Sequence, residues 1–281
     1  TEAVPLRRLA VAADHFTGRF ARDGRDHAFT VGSDQRPPRP WINVLANPGI
    51  GALLSESGGG NTWAGNSRLN QLTPWANDPV ADTPSEWWLL QDRRSREAWS
   101  LTPSAWGDDN TPSRVEHAQG RTTISHRRGP VSSTLSWCVD PDSAVKQMRV
   151  RLHNHGSHKA HLRLVGLVEW QLGEKRRDRA TLHSTACHAA DPATGMWALL
   201  CTQTDHAGGF GGGTAFFCEG HSGTPGHERS SEGLDWTTDR SAFFNANGHL
   251  VLPGRLGQRE GVGLDPCAAI SRLITLRPGA S

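Results

Sequence analysis

The sequence has no tyrosine, only two methionines and only five cysteines among its 281 residues. No two cysteines form a Cys-x-x-Cys pair, which excludes zinc-ribbon and thioredoxin-like sites. Lysines and arginines number 30 against 28 acidic residues, and this near balance argues against a dedicated nucleic-acid-binding protein, which usually carries a basic surplus. No apolar run reaches the roughly 20 residues of a membrane-spanning helix. We therefore expect a globular domain.

Tryptophan, in contrast, is abundant, and seven of the 11 tryptophans lie between residues 41 and 106. So many large apolar side chains do not occur in a disordered chain. The length is enough to bury a substantial core and fits either one large β domain or two ordinary domains. No convincing domain boundary is visible along the chain.

The cysteines are widely spaced and odd in number, which is typical of buried, inert thiols in a reducing compartment. We expect them to be unpaired. The alternative is one disulfide between Cys187 and Cys201, if these residues face each other across a hairpin.

Alternation with a period of two dominates the chain and predicts strands. In 161–170, both sets of alternating positions are apolar, so we expect this strand to be central and covered on both sides. Asn154-His-Gly-Ser157 predicts a hairpin turn between it and the strand before it. Strands are predicted at 86–91, 97–101, 121–126, 131–139, 146–153, 161–170, 181–188, 196–204, 214–219, 249–252 and 267–276. Gly-rich stretches at 58–60, 208–213 and 220–226 predict loops.

Residues 41–82 differ from the rest because Asn, Ser, Arg, Asp and Trp are interleaved, with too little apolar periodicity for a core element. Indole faces pack on the C–H face of a sugar ring, and planar amides, carboxylates and guanidinium groups bond to its hydroxyls. A loop packed against another domain, with Trp63 and Trp75 as anchors, explains the composition equally well. The candidate substrate- or domain-facing residues are Glu56, Trp63, Asn66, Arg68, Asn70, Gln71, Trp75, Asn77 and Asp78.

Two runs in this segment, WINVLANP (41–48) and SESGGGNTWAGNSRLNQLTPWANDPVAD (55–82), resemble the N-terminal β-domain of family 94 of the glycoside hydrolases, formerly glycosyltransferase family 36. That family includes cellobiose and chitobiose phosphorylases and the phosphorylase-like part of cyclic β-1,2-glucan synthases, and the motif order is similar to that of the synthases. Asn61 and Leu69 depart from the pattern, which has Tyr and Glu there. This chain therefore lacks any contact that the Tyr or Glu side chain makes in the family.

Three further segments carry the resemblance in the same order along the chain: Phe16–Phe29, the VEWQLG run at 168–173 and the GLDPCAA run at 263–269. Four spaced matches form a more specific signal than any single short motif.

The resemblance implies an all-β fold, a large antiparallel β-supersandwich of the galactose-mutarotase-like kind spanning 1–281 as a single domain. It also implies that the chain is part of a larger protein whose (α/α)6 barrel carries the general acid. We therefore expect no catalytic residue, metal or cofactor in this chain. The expected partners are a β-glucan oligosaccharide, the barrel and a second copy of the chain, but no nucleic acid and no membrane insertion. The implied location is cytoplasmic, with tethering to the inner membrane through the parent protein.

The leading hypothesis is a non-catalytic module that docks the barrel and helps shape the glucan site of a phosphorylase or glucan synthase. One alternative is a stand-alone carbohydrate-binding protein. Another is a mutarotase-like epimerase, which would need a His and a Glu converging in a sandwich cleft.

Other constellations are weaker. Asp140-Pro-Asp142 matches a metal-binding D-x-D string, but its proline favours a turn. The histidines at 153, 155, 158 and 161 favour a solvated turn over a zinc or nickel site. Gly208–Gly213 lacks the strand and helix of a dinucleotide-binding loop. Glu56 with Asp78 or Asp82 would supply two carboxylates for glycoside cleavage, but nothing in the sequence fixes such a pair.

Overall fold

In the computed structural model, residues 18–21, 23–32, 35–104, 111–188, 197–206, 209–220, 234–247 and 249–281 are described. Their strands are β1 (Arg19–Ala21), β2 (Asp26–Val31), β3 (Asn43–Ala46), β4 (Ile50–Ser55), β5 (Gly58–Ala64), β6 (Glu86–Asp92), β7 (Ala98–Ser100), β8 (Ser113–Ala118), β9 (Arg121–Arg128), β10 (Val131–Val139), β11 (Lys146–Asn154), β12 (Ala160–Glu169), β13 (Leu182–His188), β14 (Trp197–Gln203), β15 (Thr214–Cys218), β16 (Asp235–Asp239) and β17 (Pro266–Leu276). Short 3₁₀ helices span Arg176–Thr181 and Arg240–Phe243. In this part of the chain, no helix is long and apolar enough to cross a membrane.

The strands form four antiparallel sheets. The largest has six strands in the order β1-β2-β8-β9-β10-β11, and the second has five in the order β16-β17-β12-β6-β7. Two three-stranded sheets, β13-β14-β15 and β3-β4-β5, complete the fold. The all-β prediction is confirmed.

Most of the predicted strands are confirmed to within two residues. β12 is the central strand of the five-stranded sheet, as its apolar pattern predicts. Leu162 joins a core cluster with residues of the six-stranded sheet, whereas Val165 and Leu167 join another cluster on the opposite face. Both faces of β12 therefore contribute buried residues to a core.

The predicted hairpin at 154–157 is wrong, because β11 and β12 belong to different sheets. Asn154 directs this crossing, since its amide Nδ2 donates to the carbonyls of His158 at 2.8 Å and Leu276 at 3.1 Å. Its Oδ1 accepts the Gly156 N–H at 2.9 Å. The turn residues were recognised correctly, but their bonds tie two layers together instead of closing a hairpin.

Three other predictions are corrected. Gly58–Gly60 is not a loop but the start of β5, where a Cβ on Gly59 would lie 2.5 Å from a Glu86 carboxylate oxygen. The stretch 249–252 forms only an isolated bridge at Leu250. Residues 41–64 do contain core strands, with Leu45, Ala52 and Leu54 buried.

All five cysteines are unpaired. Cys201 lies opposite Ser184 in the β13–β14 register and Cys187 opposite Ala198, so the alternative Cys187–Cys201 disulfide does not form. Burial raises the pKa of Cys201 to about 11, which keeps this thiol protonated and unreactive. The predicted turn at 190–195, the loop beyond Gly220 and the residues Phe16, Thr17 and Trp106 lie outside the described residues.

Candidate functional site

The β3-β4-β5 sheet holds the start of the motif segment, and two asparagines fasten it to the six-stranded sheet. Asn43 Nδ2 donates to the carbonyls of Ala118 and Arg121 and to Thr122 Oγ1, at 2.9–3.1 Å. Asn47 Nδ2 donates to the carbonyls of Asp140 and Ser143, at 2.7 and 2.8 Å. These amides act inside the fold and are not directed at a sugar.

One face of this sheet packs into the core and the other faces outward. Val44 is 55% exposed on the outer face, and Leu53 lies opposite it in the register. Trp63 lies opposite Gly51, and its indole atoms occupy the place of a Gly51 Cβ, which would be only 2.2 Å from Trp63 Cζ2. The half-buried indole therefore rests on the bare backbone of β4. We call Val44, Leu53, Gly51 and Trp63 the outer face.

The loop from 65 to 82 continues from the outer face and is held by its own polar side chains. Asn66 Oδ1 accepts the N–H groups of Arg68 and Leu69, and Asn70 Nδ2 donates to the Ala64 carbonyl at 2.9 Å. Arg68 Nε donates to Glu174 at 3.2 Å. Three of the predicted site residues thus have positions fixed by bonds within the chain.

Gln71, Trp75, Asn77 and Asp78 complete the predicted set. The Gln71 side chain accepts a bond from Gln171 at 3.1 Å. Trp75 is 44% exposed, and Asn77 is exposed with a φ of +47°. Two backbone N–H groups, those of Ala81 and Val80, donate to Asp78 and lower its pKa. Trp75 is therefore the second indole that this region presents to solvent.

Glu56 lies in the β4–β5 turn but is only 4% exposed. Its Oε2 accepts the Trp41 N–H at 3.0 Å. Burial, with a smaller contribution from the nearby charge of Asp82, raises the pKa of Glu56 to about 7. Asp82 Oδ2 accepts the Ser55 hydroxyl at 2.6 Å. Glu56 and Asp82 are thus brought together, while Asp78 binds its own turn.

A partly buried ion cluster joins two of the distant segments that carry the family resemblance. Asp265, in GLDPCAA, accepts bonds from Arg179 at 2.6 Å and from Arg240 at 2.8 Å. Glu169, in VEWQLG, lies 3.6 Å from Arg240 and 4.0 Å from Arg179. The two segments are distant in sequence, but the fold makes them part of one four-residue cluster.

Comparison with known proteins identifies the family. The model of the glycosyl hydrolase 94 supersandwich domain matches residues 25–281. The chain belongs to this supersandwich family. It is also 28% identical over 272 residues to the cyclic beta-(1,2)-glucan synthase NdvB of Rhizobium meliloti (strain 1021), covering 93% of this chain. The chain spans only 9% of the length of that relative.

The supersandwich domain has a cleft of about 2500 Å³ between its sheets. Of the predicted site residues, only Asn70 lines it. Inside, Lys146 Nζ forms an ion pair with Glu86 and donates to Thr62 Oγ1 at 2.6 Å. The sequence analysis did not predict this group of Lys146, Glu86 and Thr62. The sequence feature that could have indicated it is a glutamate, Glu86, directly before the apolar run WWLL.

In the described part of the supersandwich domain, no group of three or more His, Cys, Asp or Glu residues is arranged to hold a metal ion. Asp140 Oδ1 accepts the N–H groups of Asp142 and Ser143, as expected of a turn. His153 and His155 stack edge to face with ring centres 4.2 Å apart, and each bonds to a serine hydroxyl.

Proposed function

We propose that the domain is the non-catalytic sandwich module of a β-glucan-processing enzyme, and that its outer face and the 65–82 loop contact the glucan and the catalytic domain of the parent protein. The observation that carries the proposal is the Trp63 indole resting on Gly51, with the exposed Trp75 in the following loop. The relative is named as a synthase of cyclic β-(1,2)-glucan. The proposal includes a cytoplasmic location, which the unpaired cysteines support.

The chemistry of the outer face suits a sugar ring. An indole that lies on a glycine presents its other face to solvent, and that face packs well against the C–H groups of a pyranose. Val44 is an exposed apolar neighbour, which also suits a protein contact. A catalytic role for Glu56 and Asp82 is disfavoured, because Glu56 is buried and its carboxylate is bonded to the Trp41 backbone.

The first test is a calorimetric titration of the chain with linear and cyclic β-1,2-glucans. If the surface binds glucan by itself, the Kd rises at least about tenfold in Trp63→Ala and in Trp75→Ala. Phe216→Ala is the matched control, since Phe216 is 48% exposed on β15, outside this segment. Phosphorolysis or hydrolysis of glucan by the chain would contradict the non-catalytic assignment.

The same titration separates docking from stand-alone carbohydrate binding. Tight binding without the catalytic domain favours the stand-alone alternative. Docking is favoured if the chain does not bind glucan but does bind the separate catalytic domain, and if Trp63→Ala abolishes that second interaction. Sedimentation of the chain alone shows whether it dimerises, and loss of the dimer in Trp63→Ala would place the second copy on the outer face. The epimerase alternative has little support, because no described histidine lines the cleft.

A further inference from the structure

The layer that covers the inner face of the five-stranded sheet has a gap. The six-stranded sheet covers Leu162 of β12 and Leu276 of β17. The β13-β14-β15 sheet covers Val168 and Ile270 of the same two strands. Between these regions, Leu164 and Ile274 pack against the first core cluster but are only half-buried and line the cleft. Part of each of these two apolar side chains, in the middle of the central sheet, thus faces the cleft.

The gap is bordered by β11 and β15, which are both edge strands among the described residues. β11 pairs with β10 in an unbroken register from Lys146 to Asn154, without proline or bulge. Long regular edges of this kind are templates for another strand, and proteins usually blunt them.

The backbone groups of β11 that point into the gap can be identified from Asn154. Its N–H donates to the Ala280 carbonyl at 2.9 Å, and its carbonyl accepts the Gly279 N–H at 2.8 Å, so both point away from β10. Because the direction alternates along an antiparallel strand, the N–H and C=O groups of Met148, Val150 and Leu152 point the same way. No described backbone or side-chain group bonds to them.

The side chains of β11 divide into two kinds. Met148 and Val150 are half-buried and line the cleft beside Leu164. Arg149 and Arg151 alternate with them on the opposite face of β11, are exposed, and are also among the residues that line the cleft. They form no ion pair with any described residue. A strand added beside β11 would therefore meet an apolar surface on one face and two guanidinium groups on the other.

We propose that this edge binds an extended segment of a partner polypeptide in which acidic and apolar residues alternate. Its main chain would bond to Met148, Val150 and Leu152, its apolar side chains would cover Leu164 and Ile274, and its carboxylates would pair with Arg149 and Arg151. A nucleic acid or an anionic membrane would meet the arginines but would leave the backbone groups and apolar floor uncovered. This inference does not depend on glucan binding at the outer face.

The test uses the intact chain and a short synthetic peptide in which glutamate alternates with valine, followed by fluorescence anisotropy at neutral pH. Binding is expected for this peptide and not for one of the same composition with its glutamates and valines in separate blocks. The double variant Arg149→Glu/Arg151→Glu is expected to raise the Kd at least about tenfold. Arg39→Glu/Arg94→Glu is the matched control, with the same charge change at exposed arginines outside β11, and is expected to stay within about twofold.

Backbone N-methylation of the peptide tests the strand pairing directly. Only alternate N–H groups of a paired strand point at β11. Methylation of one alternate set is expected to abolish binding, and methylation of the other set to leave it nearly unchanged. Equal effects of the two sets, equal binding of the block peptide, or no binding to the intact chain would overturn the proposal.

Discussion

At the scale of single residues, the contact of Trp63 with Gly51 is the feature most open to a precise substitution. A methyl group on Gly51 would overlap the indole, with a separation of 2.2 Å. We expect Gly51→Ala to displace the Trp63 indole from the backbone of β4. The variant should then lose as much affinity for the ligand of the outer face as Trp63→Ala does. Tryptophan fluorescence is expected to shift to the red, because the indole becomes more exposed.

The matched control is Gly49→Ala. A Cβ at this position would lie 3.6 Å from the Asn47 side chain, an ordinary contact, and Gly49 has no positive φ. Unchanged fluorescence in Gly51→Ala, or an equal shift in Gly49→Ala, would refute the stacking arrangement.

Glu56 gives a prediction for pH dependence. Burial raises its pKa to about 7 in the folded state from an ordinary value of 4.5. The folded state therefore holds the proton more tightly, so the contribution of Glu56 to stability is fully present below about pH 4.5 and is lost as the pH rises towards about 7. The loss corresponds to roughly 3 kcal/mol. Glu56→Gln should remove this loss, as measured by urea unfolding at several pH values between 5 and 8.

His117 acts in the opposite direction and provides the control. Burial lowers its pKa to about 4 from 6.5, so its contribution is present above pH 6.5 and is lost as the pH falls towards 4. Between about pH 4.5 and 6.5 the two contributions oppose each other, so His117→Gln should show a steeper decline of stability with rising pH than the unaltered chain. If stability depends on pH in the same way in Glu56→Gln and in the unaltered chain, Glu56 is ionised in the fold and the prediction fails.

The residue types of the motif segment predicted that it would form many hydrogen bonds, but not which partner each side chain would bond to. The amides of Asn43 and Asn47 have the chemistry of sugar ligands, yet they bond to carbonyls of the neighbouring sheet. The same side-chain amide can bond either to a backbone carbonyl inside the fold or to a sugar hydroxyl at the surface. The sequence cannot tell these uses apart without knowledge of which strands become neighbours.

At the scale of elements, the pairing of Lys146 on β11 with Glu86 on β6 connects the two largest sheets. Both side chains are largely buried, and they share Thr62 on β5. Lys146→Met would leave the Glu86 carboxylate buried without its cation, and we expect a loss of about 3–5 kcal/mol in the free energy of unfolding. Chemical denaturation measures this loss.

The double variant Lys146→Met/Glu86→Gln separates pairing from packing. It removes both charges, so much of the lost stability should return. Lys159→Met is the control at an exposed position and should change stability by less than about 0.5 kcal/mol. Equal losses in the single and double variants would show that the ion pair is not the cause.

The strands themselves were largely predictable because alternation is a local property of the sequence. Their partners were not. β10 and β11 do form a sequential pair, but β11 and β12 separate into different layers at Asn154. Strand pairing depends on contacts far apart in sequence, such as that between Asn154 and Leu276, and no local pattern encodes these contacts.

At the scale of the whole molecule, β12 and β17 contribute to all three core clusters of the described residues. Adjacent residues of a strand enter different clusters because they point to opposite faces, as Trp87 and Trp88 do on β6. No core can therefore lose its packing without disturbing the strands that support the others, and we expect the chain to unfold as one unit.

Two substitutions in separate clusters test this expectation. Leu135 is fully buried in the cluster beneath the six-stranded sheet, and Leu199 is fully buried in the cluster beneath β13-β14-β15. Replacing either leucine by alanine should cost about 2–5 kcal/mol. In each variant, calorimetry and near-ultraviolet circular dichroism should report one coincident transition at a lower temperature. A transition that divides in Leu199→Ala but not in Leu135→Ala would mean that the small sheet folds independently, and the single-domain prediction for 1–281 would then be wrong.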